Sequence, residues 1–344
     1  CKIIIDFISM QVLENVSLKP FNTFGIESTA RYFALIQTIS DLRRIYAEPE
    51  FLHLPKLILG GGSNIVLCGN FQGLVLKIES KGIENFGNGL VKVQAGEVWH
   101  DFVLWSLQNG YNGLENMSLI PGNVGATPIQ NIGAYGLELK DVFIELEAFH
   151  INSKEVHVFS KSQCEFGYRE SIFKNIHKGQ YIILSVTFKL ANDGIVDVRY
   201  GSMTELMEQR GFENPTPKQV SDIVISIRKS KLPNPDEIGN SGSFFKNPVI
   251  SSTDFQKIKK IYSDIPSYPI NDVEVKVPAG WLIEKAGWKG KVIDNYGVHK
   301  NQALVLVNYG GASGEDIYLL ATKIQKSVKD LFDIHLQMEV NIIK

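Results

Sequence analysis

IPGNVGATPIQNIGAYGLE, residues 120–138, is the stretch on which the reading of the fold turns. It carries four glycines, two prolines, two alanines and two asparagines, with Glu138 at its end as the only charge. Such a composition builds neither a helix nor a central strand, so an ordered irregular loop is expected. Glycine has no Cβ, so backbone N–H groups can approach a ligand closely, and successive N–H groups can form a nest for an anion. A phosphate cradle is the first expectation. The alternative, a flexible linker, calls for Ser, Lys and Glu among the glycines, whereas Ile120, Val124, Ile129, Ile132 and Tyr135 are interleaved here. A packed ligand loop is the preferred reading.

Upstream, KLILGGGSNIVL at 56–67 reads as a buried strand, a turn at Gly60, Gly61 and Gly62 with Ser63 and Asn64, and a second strand. It is not a dinucleotide fingerprint, which needs G-x-G-x-x-G opening a helix and a later acidic residue. Taken alone, the turn is equally a plain hairpin connection; its weight comes from the second glycine loop downstream. Residues 17–35 alternate turn signals with apolar residues, and DLRRIYAE reads as a short helix. VLKI and LVKVQAG read as strands. VWHDFVLWSLQNG, 98–110, has helical spacing with Gly110 at the cap. Beyond the loop, DVFIELEAFHI, VHVFS and QYIILSVTFKL read as strands, with EFGYRESIFK on a turn between them. Residues 17–190 thus form an α+β unit with two ligand loops.

The character changes after Leu190. RYGSMTELMEQRG reads as a helix after Tyr200 and Gly201, and TPKQVSDIVISIRKSK as another, with Thr216 as cap and Pro217 at its first position. KLPNPDEIGNSGSFFKNPVI, 231–250, is a second irregular region. DFQKIKKIY and VPAGWLIEKAGWKG read as helices and QALVLVNYG as a strand. SGEDIYLLATKIQKSVKDLF, 313–332, is strongly amphipathic, with Ser313 and Asp316 placed for a capping box. LQMEVNII closes the chain as a strand. Residues 226–344 read as a separate α/β domain.

The 344 residues allow two or three domains, and 44% apolar with 21% charged residues is the balance of a globular protein with a sizeable core. A net charge of -2 excludes a dedicated nucleic-acid binder, which needs a broad basic face. Cys1, Cys68 and Cys164 are odd in number and far apart, which suits neither a disulfide framework nor a metal knot and points to the cytoplasm. No apolar run reaches the ~20 residues of a membrane span. CKIIIDFISM makes a poor signal peptide, and residues 1–9 are read as an upstream extension of a chain starting at Met10. With no conspicuous apolar stripe, a monomer is expected.

Four polar groups sit in unusual contexts. Tyr168 and Arg169 lie in FGYRES, where an arginine fork could grip a carboxylate or phosphate, or simply be a surface side chain. Ser243, in GNSGSFFKNP, is either a reachable, partly desolvated hydroxyl or a turn serine serving the backbone. Glu339, in QMEVNII, is costly if it faces inward and ordinary if it faces out. Arg228, Lys229 and Lys231 could meet a diphosphate or be a solvated helix end. No zinc spacing, nucleophile elbow or Walker loop is present. These features by themselves indicate a nucleotide-like ligand and acid/base chemistry.

KPFNTFGIES, LGGGSNIVL, IPGNVGATPIQNIGAYG, FGYRESIFK, GNSGSFFKNP, AGWLIEKAG, HKNQALVLVN and MEVNII, taken together and in this order from about Ser17 to Ile343, resemble the motifs of the bacterial UDP-N-acetylenolpyruvoylglucosamine reductase (MurB) family. The resemblance implies an α+β protein: an FAD-binding fold of the vanillyl-alcohol-oxidase/PCMH type over residues 17–193, with subdomains of about 17–80 and 81–193. Residues 1–16 would be an N-terminal extension, 194–225 a helical connection with a substrate loop, and 226–344 a C-terminal α/β substrate-binding domain. The implied activity uses NADPH to reduce FAD and then reduces UDP-GlcNAc-enolpyruvate to UDP-N-acetylmuramate for peptidoglycan.

By this likeness the FAD pyrophosphate lies against Gly60, Gly61, Gly62, Ser63 and Asn64. The flavin and its ribityl chain lie against Pro121, Gly122, Gly125, Ala126, Gln130, Asn131, Gly133, Ala134 and Tyr135. Arg169, Ser243 and Glu339 match catalytic positions, with Ser243 as proton donor. Tyr168, Arg228, Lys231, Asn247, Tyr268 and Gln302 match substrate positions, and Tyr200 resembles the tyrosine of the longer family form's substrate loop. The chemistry suits such groups. An enol ether accepts hydride poorly, so its carboxylate must be polarised while charge develops at the α carbon, a task for Arg169 with Glu339 as partner. Hydride from reduced flavin N5 would go to the terminal carbon and a proton from Ser243 to its neighbour. The competing readings are a flavin oxidase of the same fold acting on a carbohydrate or lactone, and a non-catalytic nucleotide-binding module.

Overall fold

The computed structural model describes residues 3–7, 10–198 and 202–344, and these divide into two units, neither of them a continuous stretch. The first takes residues 1–16, 30–61 and 72–228; the second takes 17–29, 62–71 and 229–344. The sequence reading expects linear blocks; long-range backbone pairing draws two early segments into the later unit.

The first unit holds two five-stranded sheets. One runs in the order Ile3–Phe7, Met10–Ser17, Thr29–Ile36, Phe71–Ile78, Lys56–Leu59, the last two strands parallel. Val12 and Met10 lie in the core of this sheet beside Tyr32, Phe51 and Leu76, so residues 10–16 are not an appended extension: their alternating apolar side chains pack inward. The other sheet is antiparallel, in the order Val156–Ser160, Phe143–His150, Tyr181–Lys189, Leu90–Gln94, Ile83–Asn85. Val91 and Val93 point to one face, and the helix Trp99–Gln108 covers it with Trp99, Phe102, Val103 and Ser106, one turn apart on one side. The Phe102 ring lies 5.0 Å from that of Phe188, and burying such a side chain contributes about 2–3 kcal/mol. Gly110, at φ 78°, ends the run where a cap is expected.

The second unit is built on a four-stranded sheet, Gly239–Ser243, Val305–Asn308, Tyr296–Val298, Val292–Ile293. Its first strand falls in the region read as irregular. GNSGS has little strand preference, but Gly239 and Asn240 pair with Asn308 and Val307, and a shift of register between Asn240 and Ser243 brings Ser243 opposite Val305. Thr23 explains why residues 17–29 belong here: its carbonyl accepts from Asn240 N–H at 3.0 Å and its hydroxyl donates to Asn240 O at 2.6 Å. The helix Gly314–Phe332 has the expected capping box between Ser313 and Asp316 and buries Ile317, Leu320, Ala321, Ile324, Val328 and Phe332. The closing strand, Asn341–Ile343, runs parallel to Ile65–Leu67 and begins two residues after Glu339, which therefore lies outside it. No described helix is long and apolar enough to cross a membrane.

Candidate active site

Residues 120–138 form an ordered loop stitched down along its length. The carbonyl of Gly122 accepts from Trp99 N–H at 3.0 Å, Val124 N–H donates to Glu97 O at 2.8 Å, and Gly125 N–H donates to Ala95 O at 2.9 Å. Its second half is a two-strand hairpin, Gly133–Ala134 against Leu137–Glu138, turned by Tyr135 and Gly136 at φ 50° and 87°. Pro121 and Ala126 are exposed, and Gln130, Gly133, Ala134 and Tyr135 are half-buried. Asn131 differs: its side chain is buried, donating to Glu138 Oε2 at 3.1 Å and Gly167 O at 3.0 Å and accepting from Lys140 N–H at 3.0 Å. It shapes the loop rather than reaching outward.

The first glycine turn meets this loop inside the first unit. A Cβ on Gly61 would stand 2.8 Å from Gly122 Cα and 2.9 Å from Asn123 Oδ1. Asn123, which the motif reading passed over, is buried and donates from Nδ2 to Gly96 O at 2.7 Å, so it locks the two loops to a third turn. Gly62, at φ 64°, lies in the second unit, where a Cβ would fall 1.9 Å from Phe21 O. The backbone N–H groups of Gly61, Gly62 and Ser63 have no acceptor among the described residues. A glycine turn with successive unspent N–H donors fits a pyrophosphate. Asn64 is held at its backbone, its carbonyl accepting from Asn341 N–H at 3.1 Å.

Arg169 stands against the hairpin in the same unit. Its Nη2 donates to Gly133 O at 2.7 Å and Nη1 approaches Asn131 O at 3.5 Å, while the guanidinium lies 5.3 Å from the centre of the Tyr168 ring. The residue sits at φ 56°, a conformation few non-glycine residues adopt, and its surroundings hold it there. Arg228, on the helix Pro217–Lys231, donates from Nε to Leu119 O at 3.3 Å. Burial pulls its pKa down and the nearby Tyr135 opposes this. The same helix is tied to the loop's approach by a buried hydroxyl pair, Ser118 and Ser221, 2.8 Å apart. Asn116, also outside the motif reading, is buried and donates from Nδ2 to both Tyr135 O and Asp197 O at 2.9 Å. Glu115 beside it accepts from Gly113 N–H at 2.7 Å and Leu114 N–H at 3.1 Å; burial, opposed by these bonds, raises its pKa.

Ser243 and Glu339 belong to the second unit, which brings them together. Glu339 N–H donates to Phe244 O at 2.8 Å, and Met338 bridges Phe245. Ser243 is exposed at its strand end, Phe244 and Phe245 behind it are buried, and Glu339 is half-buried. Asn247 and Gln302 also meet around one segment. Asn247 Oδ1 accepts from Ala279 N–H at 2.9 Å, and Gln302 Oε1 would stand 3.2 Å from a Cβ on Gly280. Lys231 and Tyr268 are exposed. Tyr200 lies outside the described residues. Among the described residues no group of three His, Cys, Asp or Glu side chains could hold a metal ion.

Residues 234–343 match the profile of the UDP-N-acetylenolpyruvoylglucosamine reductase C-terminal domain, and residues 30–158 match an FAD binding domain. A UDP-N-acetylenolpyruvoylglucosamine reductase of Flavobacterium johnsoniae is 49% identical over 339 residues, covering 97% of this chain and 100% of that one. Reductases of the same name from Pseudomonas putida and Amoebophilus asiaticus are each 46% identical, over 97% of this chain and 99% and 100% of theirs. The crystal structure of the Thermus caldophilus enzyme superposes with a TM-score of 0.68 at 23% identity, covering 97% of this chain and 100% of that one, a likeness of fold.

Proposed function

The chain belongs to the UDP-N-acetylenolpyruvoylglucosamine reductase family, and we infer that it is an FAD-dependent oxidoreductase of peptidoglycan synthesis, reducing UDP-N-acetylglucosamine enolpyruvate to UDP-N-acetylmuramate with NADPH. The observation that carries this is likeness of 46–49% identity along nearly the whole length of both partners, far beyond a shared fold. The glycine turn at 60–64, with its unspent N–H donors and with Gly61 touching Gly122, supports the assignment of the cofactor's pyrophosphate there.

When bound, FAD would supply the two-electron hydride chemistry that no side chain offers, held by the glycine turn at 60–64 and the loop at 120–138. The residues supply orientation, charge and a proton. The carbonyls of Gly133 and Asn131 set the direction of the Arg169 guanidinium, and a fork of fixed direction suits a bidentate hold on the substrate carboxylate. That hold stabilises negative charge spreading from the α carbon as the terminal carbon is reduced. The Ser243 hydroxyl, exposed at its strand end, gives its proton to the α carbon. A hydroxyl is a weak acid, so it works only against a strongly basic intermediate. Glu339, held beside the serine by its own backbone, is the partner we assign to this step. Arg228 and Lys231 offer cations for the diphosphate, and Tyr168, Asn247, Tyr268, Gln302 and Tyr200 contacts for the remainder of the nucleotide sugar. An NADPH-linked reaction on a soluble nucleotide sugar is placed in the cytoplasm, carried out by a monomer.

The test is a pair of half-reactions. The purified yellow protein is reduced with NADPH in the absence of oxygen, and UDP-GlcNAc-enolpyruvate is then added. Prompt flavin reoxidation with formation of UDP-N-acetylmuramate is expected. Reoxidation by air alone would overturn the assignment and favour an oxidase.

A further inference from the structure

Leu119, the residue before the 120–138 loop, stands at φ 59°, in the left-handed region that non-glycine residues rarely adopt. Such a conformation persists only where its surroundings hold it. Both main-chain groups of Leu119 are spent on side chains: its N–H donates to His100 Nδ1 at 2.9 Å, and its carbonyl accepts from Arg228 Nε at 3.3 Å. A backbone N–H can only donate, so His100 Nδ1 is the acceptor and carries no proton.

The two side chains come from the two helices that grip this segment. His100 lies in the first turn of the helix Trp99–Gln108, beside Trp99, which donates from Nε1 to Met117 O and from its backbone N–H to Gly122 O, each at 3.0 Å. Arg228 lies two turns after Ser221 on the helix Pro217–Lys231, so the hydroxyl pair with Ser118 and the bond to Leu119 come from one helix face. Leu119 is the joint between them. With its N–H released, rotation of φ toward the ordinary negative range would swing its carbonyl away from Arg228. Arg228 is half-buried, and among the described residues its Nη1 and Nη2 have no hydrogen-bond partner. Burial lowers its pKa, and the group that opposes this is Tyr135, not a carboxylate. A cation drawn out of water without an anion beside it is costly, and an anionic ligand would offset that cost.

We propose that His100 is a positioning residue for the substrate's diphosphate. By accepting from Leu119 N–H it locks that residue in its left-handed backbone, and the Leu119 carbonyl then fixes Arg228 by Nε, so that the two Nη groups face the diphosphate of the nucleotide-sugar enol ether. The proposal rests on the reductase reading and adds to it a residue outside the motifs, which acts on the ligand only through another side chain.

The test is calorimetric titration of the oxidised, flavin-loaded enzyme with UDP, which carries the diphosphate without the enolpyruvyl group. In H100N the amide oxygen falls at the place of Nδ1 and can still accept from Leu119, whereas in H100Q the amide falls at the place of Nε2 and cannot. H100Q is expected to weaken UDP binding about tenfold, the loss of a hydrogen bond to a charged group, and H100N to stay near the parent. Flavin content per polypeptide should match the parent in both. A double-mutant cycle separates this role from a merely structural one: R228K has no Nε to be fixed, so in its background H100Q should weaken UDP binding little further. Equal affinities in H100N and H100Q, fully additive effects of H100Q and R228K, or flavin loss from H100Q with UDP binding unchanged would each overturn the proposal. Should H100Q not fold, H100L takes its place in both arms, and failure of both beside a folded H100N would mean that His100 serves the fold alone, which also overturns it. A parent enzyme that the enol ether cannot reoxidise removes the reductase reading and leaves the UDP contrast to be decided by itself.

Discussion

The backbone N–H of Glu339 donates to the carbonyl of Phe244 at 2.8 Å, which sets a carboxylate from the end of the chain beside the residue that follows Ser243. Met338 bridges Phe245 and Lys246 N–H donates to Gln337 O at 2.9 Å, so the two segments run together over several residues. A backbone contact of this kind fixes where the two segments stand, so under the proposed mechanism proton delivery is separable from cofactor binding.

Ser243→Ala should leave flavin reduction by NADPH intact and slow reoxidation by the enol ether by several orders of magnitude. Since Ser243 is exposed at the end of its strand, the melting temperature should shift by little. Stopped-flow absorbance of the two half-reactions checks both halves of the statement. An unaffected second half-reaction would take the proton from elsewhere.

Arg169→Lys keeps the charge and loses the fork. The Gly133 and Asn131 carbonyls that orient the guanidinium would then face a single rotatable ammonium. Loss of a charge-assisted hydrogen bond of about 1.5–3 kcal/mol corresponds to a roughly 10- to 100-fold slower reoxidation by the enol ether. NADPH reduction of the flavin should be unchanged, and single-turnover kinetics at saturating enol ether would show it.

Gly61→Ala places a methyl 2.8 Å from Gly122 Cα, a backbone atom that can yield only if the loop moves. The expected result is protein that folds but carries less FAD, read as flavin absorbance per polypeptide after gel filtration. Full flavin content would mean that the contact between the glycine turn and the 120–138 loop is not needed to hold the cofactor.

Glu115 makes stability depend on pH. Burial, opposed by the bonds from Gly113 and Leu114, raises its folded-state pKa above the ordinary 4.5, so the folded protein binds the proton more tightly than the unfolded chain. Its contribution is complete below pH 4.5 and is lost as pH rises through the raised value. Glu115→Gln keeps an oxygen for the Gly113 and Leu114 N–H groups and removes the titration. The melting temperature of the variant, relative to the parent, should climb as pH increases across that window. A constant difference from acid to neutral pH would show that Glu115 does not titrate there.

Much of the local architecture is readable from the chain. The helix Trp99–Gln108 follows from apolar spacing and Gly110, the helix Gly314–Phe332 from its spacing and the Ser313–Asp316 box, and the antiparallel strands from alternation. Each of these depends on residues within a few positions of one another. The strand Gly239–Ser243 could not be read this way, because its residues have no strand preference and are extended only by pairing with Val305–Asn308. The buried Asn116, Asn123 and Asn131 could not be placed this way either, because an asparagine in a turn can hold its own backbone or reach a ligand, and only the structure shows their amide nitrogens donating within the fold.

The sequence by itself determined the family, the cofactor and the identity of the candidate residues, since these rest on motifs whose residue types are legible one by one. Only the tertiary structure decided that residues 17–29 and 62–71 belong with the last third of the chain, and that Glu339 lies against the Ser243 segment rather than within the final strand. The reason is the range of the forces. Propensities and caps act within a turn or a strand, whereas the bonds from Asn341 to Asn64 and from Thr23 to Asn240 join residues more than two hundred positions apart, and no local pattern records such a partner.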